Sequence, residues 1–119
     1  MKLEQQVCSL ELARELNELG TKQDSLFWWQ VCEDSTTDLQ YQKTTTNFGL
    51  PVRDWYSAFT VAELGNLLGK HCLSNSVEYG WACSCWGINP SVPTIFADTE
   101  ADARAKMLIF LIENGFMGL

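Results

Sequence analysis

The chain has 119 residues, near the usual size of one domain, and 46% of them are hydrophobic, enough for a core without staples. Its formal net charge is −7, from 15 acidic against 8 basic residues. The bases are scarce rather than the acids abundant, which excludes the cation-rich footprint of a protein that binds nucleic-acid backbone directly.

No apolar run approaches the roughly 18 residues of a membrane span. The N-terminal stretch MKLEQQVCSLELARELNELG has no continuous apolar run of the signal-peptide kind, and its carboxylates argue against a transit peptide. The expected location is therefore cytoplasmic, with no membrane contact. Five cysteines, an odd number, then read as free thiols.

In chain order the first element is a helix. Ser9 stands at its cap, Leu12, Ala13, Leu16 and Leu19 recur at helical spacing, and Gly20 supplies the stop. LFWWQVC, residues 26 to 32, is aromatic, β-branched and bounded by polar residues, which predicts a strand. LQYQKTTT, residues 39 to 46, alternates and predicts its antiparallel partner. Thr60-Val61-Ala62-Glu63 has the spacing of a capping box, opening a helix that ends at Gly69. Gly65 inside that helix implies close approach of another backbone.

From Val77 to Trp86 the residues sort by parity. Val77, Tyr79, Trp81, Cys83 and Cys85 make a bulky face, while Glu78, Gly80, Ala82 and Ser84 make a small, polar one. A strand that buries the bulky face carries both thiols inward and leaves Trp86 on the other side. Gly87, Asn89 and Pro90 end it, and VPTIFA, residues 92 to 97, begins another. The last helix is capped by Asp98 or Thr99, carries Glu100 and Asp102 in its first turn, and stops at Gly115. Met107 to Ile112 is apolar all the way round, so that turn must be covered on more than one side, by sheet, helices or a second subunit. The order αββαββα predicts a single α+β domain over 1–119, with an antiparallel sheet of about four strands and helices packed mainly on one face.

The elements leave little room for chemistry at the cysteines. His71, Cys72, Cys83 and Cys85 are possible zinc ligands by type. Adjacent His71 and Cys72 point apart, however, and Cys-x-Cys on a strand lacks the turn that lets two sulfurs converge. The strand reading makes Cys83 and Cys85 small core hydrophobes. A thiol enzyme would need a base beside its sulfur, and His71, the only histidine, is poorly placed to serve its neighbour Cys72. Phosphate-loop, dinucleotide and hydrolase motifs are missing, so no cofactor is expected and no enzyme class is indicated.

The aromatic load is the unusual signal: five Trp, six Phe and three Tyr. Trp28 and Trp29 are adjacent and must face opposite ways in a strand. One set of aromatics packs the core. A second set, Trp28 or Trp29 with Trp55, Tyr56 and Trp86, is expected to line a surface groove, with Arg53 placed to meet an anionic group. The alternative buries these rings beneath the segment 47 to 56.

Three blocks carry a resemblance: LEQQVCSLELARELNELGTKQDSLFWW near the start, SAFTVAELGNLL at 57 to 68, and TEADARAKMLIFLIENG at 99 to 115. Together they resemble a group of small uncharacterised proteins of bacterial phages and prophages, especially those of gut communities. The resemblance implies a small accessory gene acting in the bacterial host cell, with no catalytic residues to carry over. The expectation is a non-enzymatic interaction module that binds a protein partner or itself, with host takeover or anti-defence as fitting roles. The second expectation is a small-ligand binder that stacks a nucleobase-like or sugar-like ring in its Trp/Tyr groove.

Overall fold

Three helices form where caps and apolar spacing place them. The computed structural model describes residues 2–42, 46–47, 50–87 and 91–117, with no side-chain description at 46–47 and 50–51. A 3-10 turn, Leu3–Gln5, precedes α1, Leu10–Glu18, which buries Leu12, Ala13 and Leu16. In α2, Val61–Leu68, the capping box is complete: Glu63 N–H donates to Thr60 Oγ1 at 3.2 Å, and Thr60 N–H donates to Glu63 Oε1 at 2.9 Å. Such a cap is worth about 1 kcal/mol. Thr99, rather than Asp98, caps α3, Glu100–Glu113, by accepting from Asp102 N–H at 3.1 Å. Gly20, Gly69 and Gly115 follow the three helices at φ of 90°, 86° and 74°, a region that costs glycine nothing.

The strands make two antiparallel sheets rather than the single sheet expected. The first has the order β2-β1-β4-β3, built from β1 Phe27–Cys32, β2 Thr37–Tyr41, β3 Thr46–Asn47 and β4 Leu50–Ala58. The second, β5-β6-β7, consists of Cys72–Val77, Gly80–Cys85 and Ile95–Ala97. Three of these strands, β3, β4 and β5, were not expected as separate strands from the sequence. β4 carries Pro51 and the charged pair Arg53-Asp54, which resemble a loop, and a register shift between Val31 and Cys32 accommodates the irregularity. β5, CLSNSV, shows no apolar alternation. The stretch from Val77 onward is a hairpin turned at Glu78-Tyr79, not one strand, because Val77 pairs with Gly80. The expected stop at Asn89 and Pro90, and residues 43–45 of the expected second strand, lie outside the described residues.

Helix α3 organises the core. It packs against α1, α2 and all three strands of the second sheet, while α1 bridges from α3 to β4 of the first. Met107, Leu108, Ile109 and Leu111 are buried among Leu12, Leu16, Phe59 and Leu64. Full burial of each large aliphatic side chain contributes about 1.5–3 kcal/mol. The all-apolar turn is thus covered by sheet and helices of its own chain. Gly65 does admit a close neighbour, but the neighbour is a side chain: a Cβ there would collide with the Arg104 guanidinium. Arg104 is held in place by Nη1–H donating to the Val61 carbonyl at 3.1 Å and Nε–H donating to Ser74 Oγ at 2.8 Å.

Candidate functional site

Register assigns each residue of the second sheet to a face, because residues directly opposite in adjacent strands point the same way. Ser74, Cys83 and Ile95 share one row, and Ser76, Trp81 and Ala97 the next. These face α3, where Cys83 is fully buried. The opposite face is formed by Leu73 with Ser84, Asn75 with Ala82 and Phe96, and Val77 with Gly80. Trp86 joins this outer face, since its N–H donates to the His71 carbonyl at 2.9 Å and extends the ladder by one pair. The expectation that Trp86 opposes Trp81 is met.

That outer face is open. Among the described residues nine large hydrophobic side chains are exposed, and five of them are Leu73, Val77, Tyr79, Trp86 and Phe96. Phe96 is 60% exposed and Trp86 51%, while Tyr79, at the hairpin tip, is 88% exposed. Isolated exposed apolar residues are ordinary, but a concentration on one sheet face marks a contact surface. Two shallow clefts flank the Tyr79–Phe96 pair. One, of about 280 Å³, lies against Val77 and Trp81. The other, of about 290 Å³, is bordered by Asp98, Asp102 and Lys106. Burial pushes the Asp102 carboxyl above its ordinary value, opposed by the hydrogen bond from Ser9 and the charge of Lys106.

The residues expected to form an aromatic groove are not gathered on one surface. Trp29 lies opposite Tyr56 on the face of the first sheet that meets α1. There Trp29 Nε1–H donates to the Cys8 carbonyl at 2.8 Å, and the Arg14 guanidinium stands 5.5 Å from the Tyr56 ring centre. Trp28 and Trp55 belong to the opposite face, and Trp28 is buried. Arg53 is exposed but engaged with Asp54, Nε to Oδ2, at 3.0 Å. Trp86 is in the other sheet. Sequence reasoning identified Trp86 as a surface residue but missed Leu73, Val77, Tyr79 and Phe96. The alternating string from Val77 onward held part of the signal, and reading its Glu78-Tyr79-Gly80 as a turn would have placed Tyr79 at a tip.

The cysteines correct the sequence reading. Cys72 and Cys85 are direct partners across β5 and β6 and form a disulfide, leaving Cys8, Cys32 and Cys83 free. The possible zinc set therefore does not converge: two of its sulfurs are bonded to each other, and His71 lies on the outer face. Burial pushes the Cys8 thiol up to about 12 and the Cys83 thiol to about 11. Both stay protonated at neutral pH, the wrong state for a nucleophile or a metal ligand. No group of three or more His, Cys, Asp or Glu side chains among the described residues is arranged to hold a metal ion. Nor is any helix among them long and apolar enough to cross a membrane.

Comparison of the chain with protein-family models, curated proteins and solved structures gives no match.

Proposed function

We propose that this chain is a non-enzymatic protein-interaction module that docks its partner on the open face of the second sheet. The observation that carries the reading is the clustering of Leu73, Val77, Tyr79, Trp86 and Phe96 on and around a face that, among the described residues, no helix covers. Tyr and Trp are the side chains that most often anchor protein interfaces, because they bring large contact area with few rotatable bonds. The charge of the chain selects the partner. At a formal −7, with Glu78, Asp98 and Asp102 against Lys106 around the Tyr79–Phe96 pair, the surface suits a protein whose apolar contact is rimmed by Lys and Arg. A second copy would set −7 against −7. The phage or prophage setting and the bacterial cytoplasm belong to the same proposal, which requires the Cys72–Cys85 bridge to persist in a reducing compartment.

The test compares wild type with the double variant Tyr79→Ser/Phe96→Ser, both positions being exposed and outside the core. A protein captured by wild type is purified and titrated calorimetrically against both forms. The expected outcome is binding weakened at least about tenfold in the variant, an unchanged melting temperature, and affinity that falls as salt rises. Equal affinity of the two forms, or a wild-type particle of doubled mass, refutes the reading.

A further inference from the structure

A separate cavity of about 300 Å³ opens where the first turns of α2 and α3 meet the two sheets. Its apolar walls come from different parts of the chain: Phe27 begins β1, Trp81 lies on β6, and Leu3 belongs to the N-terminal turn. Trp81 points to the inner face of its sheet yet is only partly buried, and Leu3, Gln5, Gln6, Ala62 and Asp98 are exposed, so the cavity is a half-open cleft at the edge of the core. Aromatic side chains from two sheets lining one cleft suit a flat ring.

The polar groups narrow the ring's chemistry. The amides of Val61 and Ala62 occupy the first two positions of α2, where an α-helix has no internal acceptor to offer. The capping box engages only the amides of Thr60 and Glu63. These two amides can donate to a ligand. The Asp98 carboxylate lines the same cavity, is exposed, and makes no ion pair among the described residues, so it can accept. Glu100 also lines the cavity, but its Oε2 is already engaged by Ser74 and Arg104. No Lys or Arg is present in the lining. An anionic group would meet the unpaired Asp98 carboxylate with no Lys or Arg in the lining to offset it, and a cation would face the positive ends of two helices. A neutral ring that carries both acceptors and an amino donor meets neither penalty.

We infer that this cavity binds a neutral, amino-substituted heteroaromatic ring of the nucleobase kind, stacked between Phe27 and Trp81. Ring nitrogens or carbonyls accept from the Val61 and Ala62 amides, and the exocyclic amino group donates to Asp98. The site borders the outer-face docking surface, sharing Asp98 and Trp81 with the clefts beside the Tyr79–Phe96 pair, but its ring-binding groups do not depend on a partner there.

The experiment titrates adenine, cytosine and adenosine monophosphate into ¹⁵N-labelled full-length protein and follows the amide resonances. Adenine or cytosine should give saturable shifts centred on Val61, Ala62 and Glu100, with the phosphate-bearing compound binding more weakly than the free base. Ala62→Phe, at an exposed position lining the cavity, should raise Kd at least about tenfold while leaving resonances elsewhere in place. Asp98→Ala gives the same readout should Ala62→Phe not fold. The inference is overturned if neither base gives saturable shifts, if the shifts map to residues outside the cavity, or if the folded variant binds as wild type does.

Discussion

Ser9 and Asp102 are 93 positions apart, yet the Ser9 N–H donates to Asp102 Oδ1 at 2.8 Å. The hydroxyl of Ser9, which stands at the cap of α1, makes no capping bond. Its backbone instead ties the start of α1 to the first turn of α3, and the acceptor is a half-buried carboxylate. The contact joins the two ends of the chain at the centre of the fold.

A pH dependence follows. Burial raises the Asp102 pKa above the ordinary 3.8. A carboxyl whose folded pKa lies above its unfolded value contributes its full stability below the unfolded pKa, and loses it as pH rises through the folded one. Asp102→Asn retains the oxygen that accepts from Ser9 and removes the titration. The melting temperature of the Asn variant relative to wild type should therefore increase from about pH 3.5 to about pH 7. Thermal melts across that range check it; a flat or falling difference contradicts it.

Arg104 makes Gly65 hard to replace. In an ordinary helix interior Gly→Ala gains about 1 kcal/mol. Here the new methyl would collide with a guanidinium bound to Val61 and Ser74 and 3.6 Å from Glu100 Oε2. Gly65→Ala should lower the melting temperature in wild type and raise it in an Arg104→Ala background. A double-mutant cycle should show coupling of at least about 1 kcal/mol. The same effect in both backgrounds would separate the two residues.

Gln30 is 0% exposed on β1, and neither atom of its carboxamide meets a protein partner among the described residues. Desolvating such a group without a hydrogen bond costs about 1–3 kcal/mol. Gln30→Met, close in volume and free of that demand, should raise the unfolding free energy measured in urea. A fall would mean that the carboxamide has a partner in solution.

The Cys72–Cys85 bridge closes a short loop, with a sequence separation of 13. By the chain-entropy argument its removal costs about 3 kcal/mol. Cys72→Ser/Cys85→Ser should therefore unfold at lower denaturant than oxidised wild type. Protein denatured without reductant should take up an alkylating agent at Cys8, Cys32 and Cys83 only, and at all five cysteines after reduction. Five alkylated cysteines without reduction would show the bridge to be absent.

Much of the helical framework was legible locally. The Thr60–Glu63 box, the glycine stops and the apolar turn of α3 depend on residues within a few positions of one another, so a short window contains all the relevant forces. Parity likewise separated Trp81 from Trp86, because a strand alternates whatever it pairs with. The site was less legible. Phe96 and Leu73 lie on neighbouring strands of an open face, and nothing in CLSNSV or VPTIFA says which face a helix will cover.

What the amino-acid sequence determined by itself was therefore the α+β character, the three helices with their ends, and the inward direction of Cys83 and Cys85. Tertiary structure alone decided that there are two sheets, that Cys72 reaches Cys85, that Arg104 fills the space beside Gly65, and that the Trp28, Trp29, Trp55 and Trp86 side chains are dispersed. The physical reason is the same in each case. Helix caps and strand alternation are set by near neighbours, whereas strand register and face coverage are set by contacts between segments far apart in the chain.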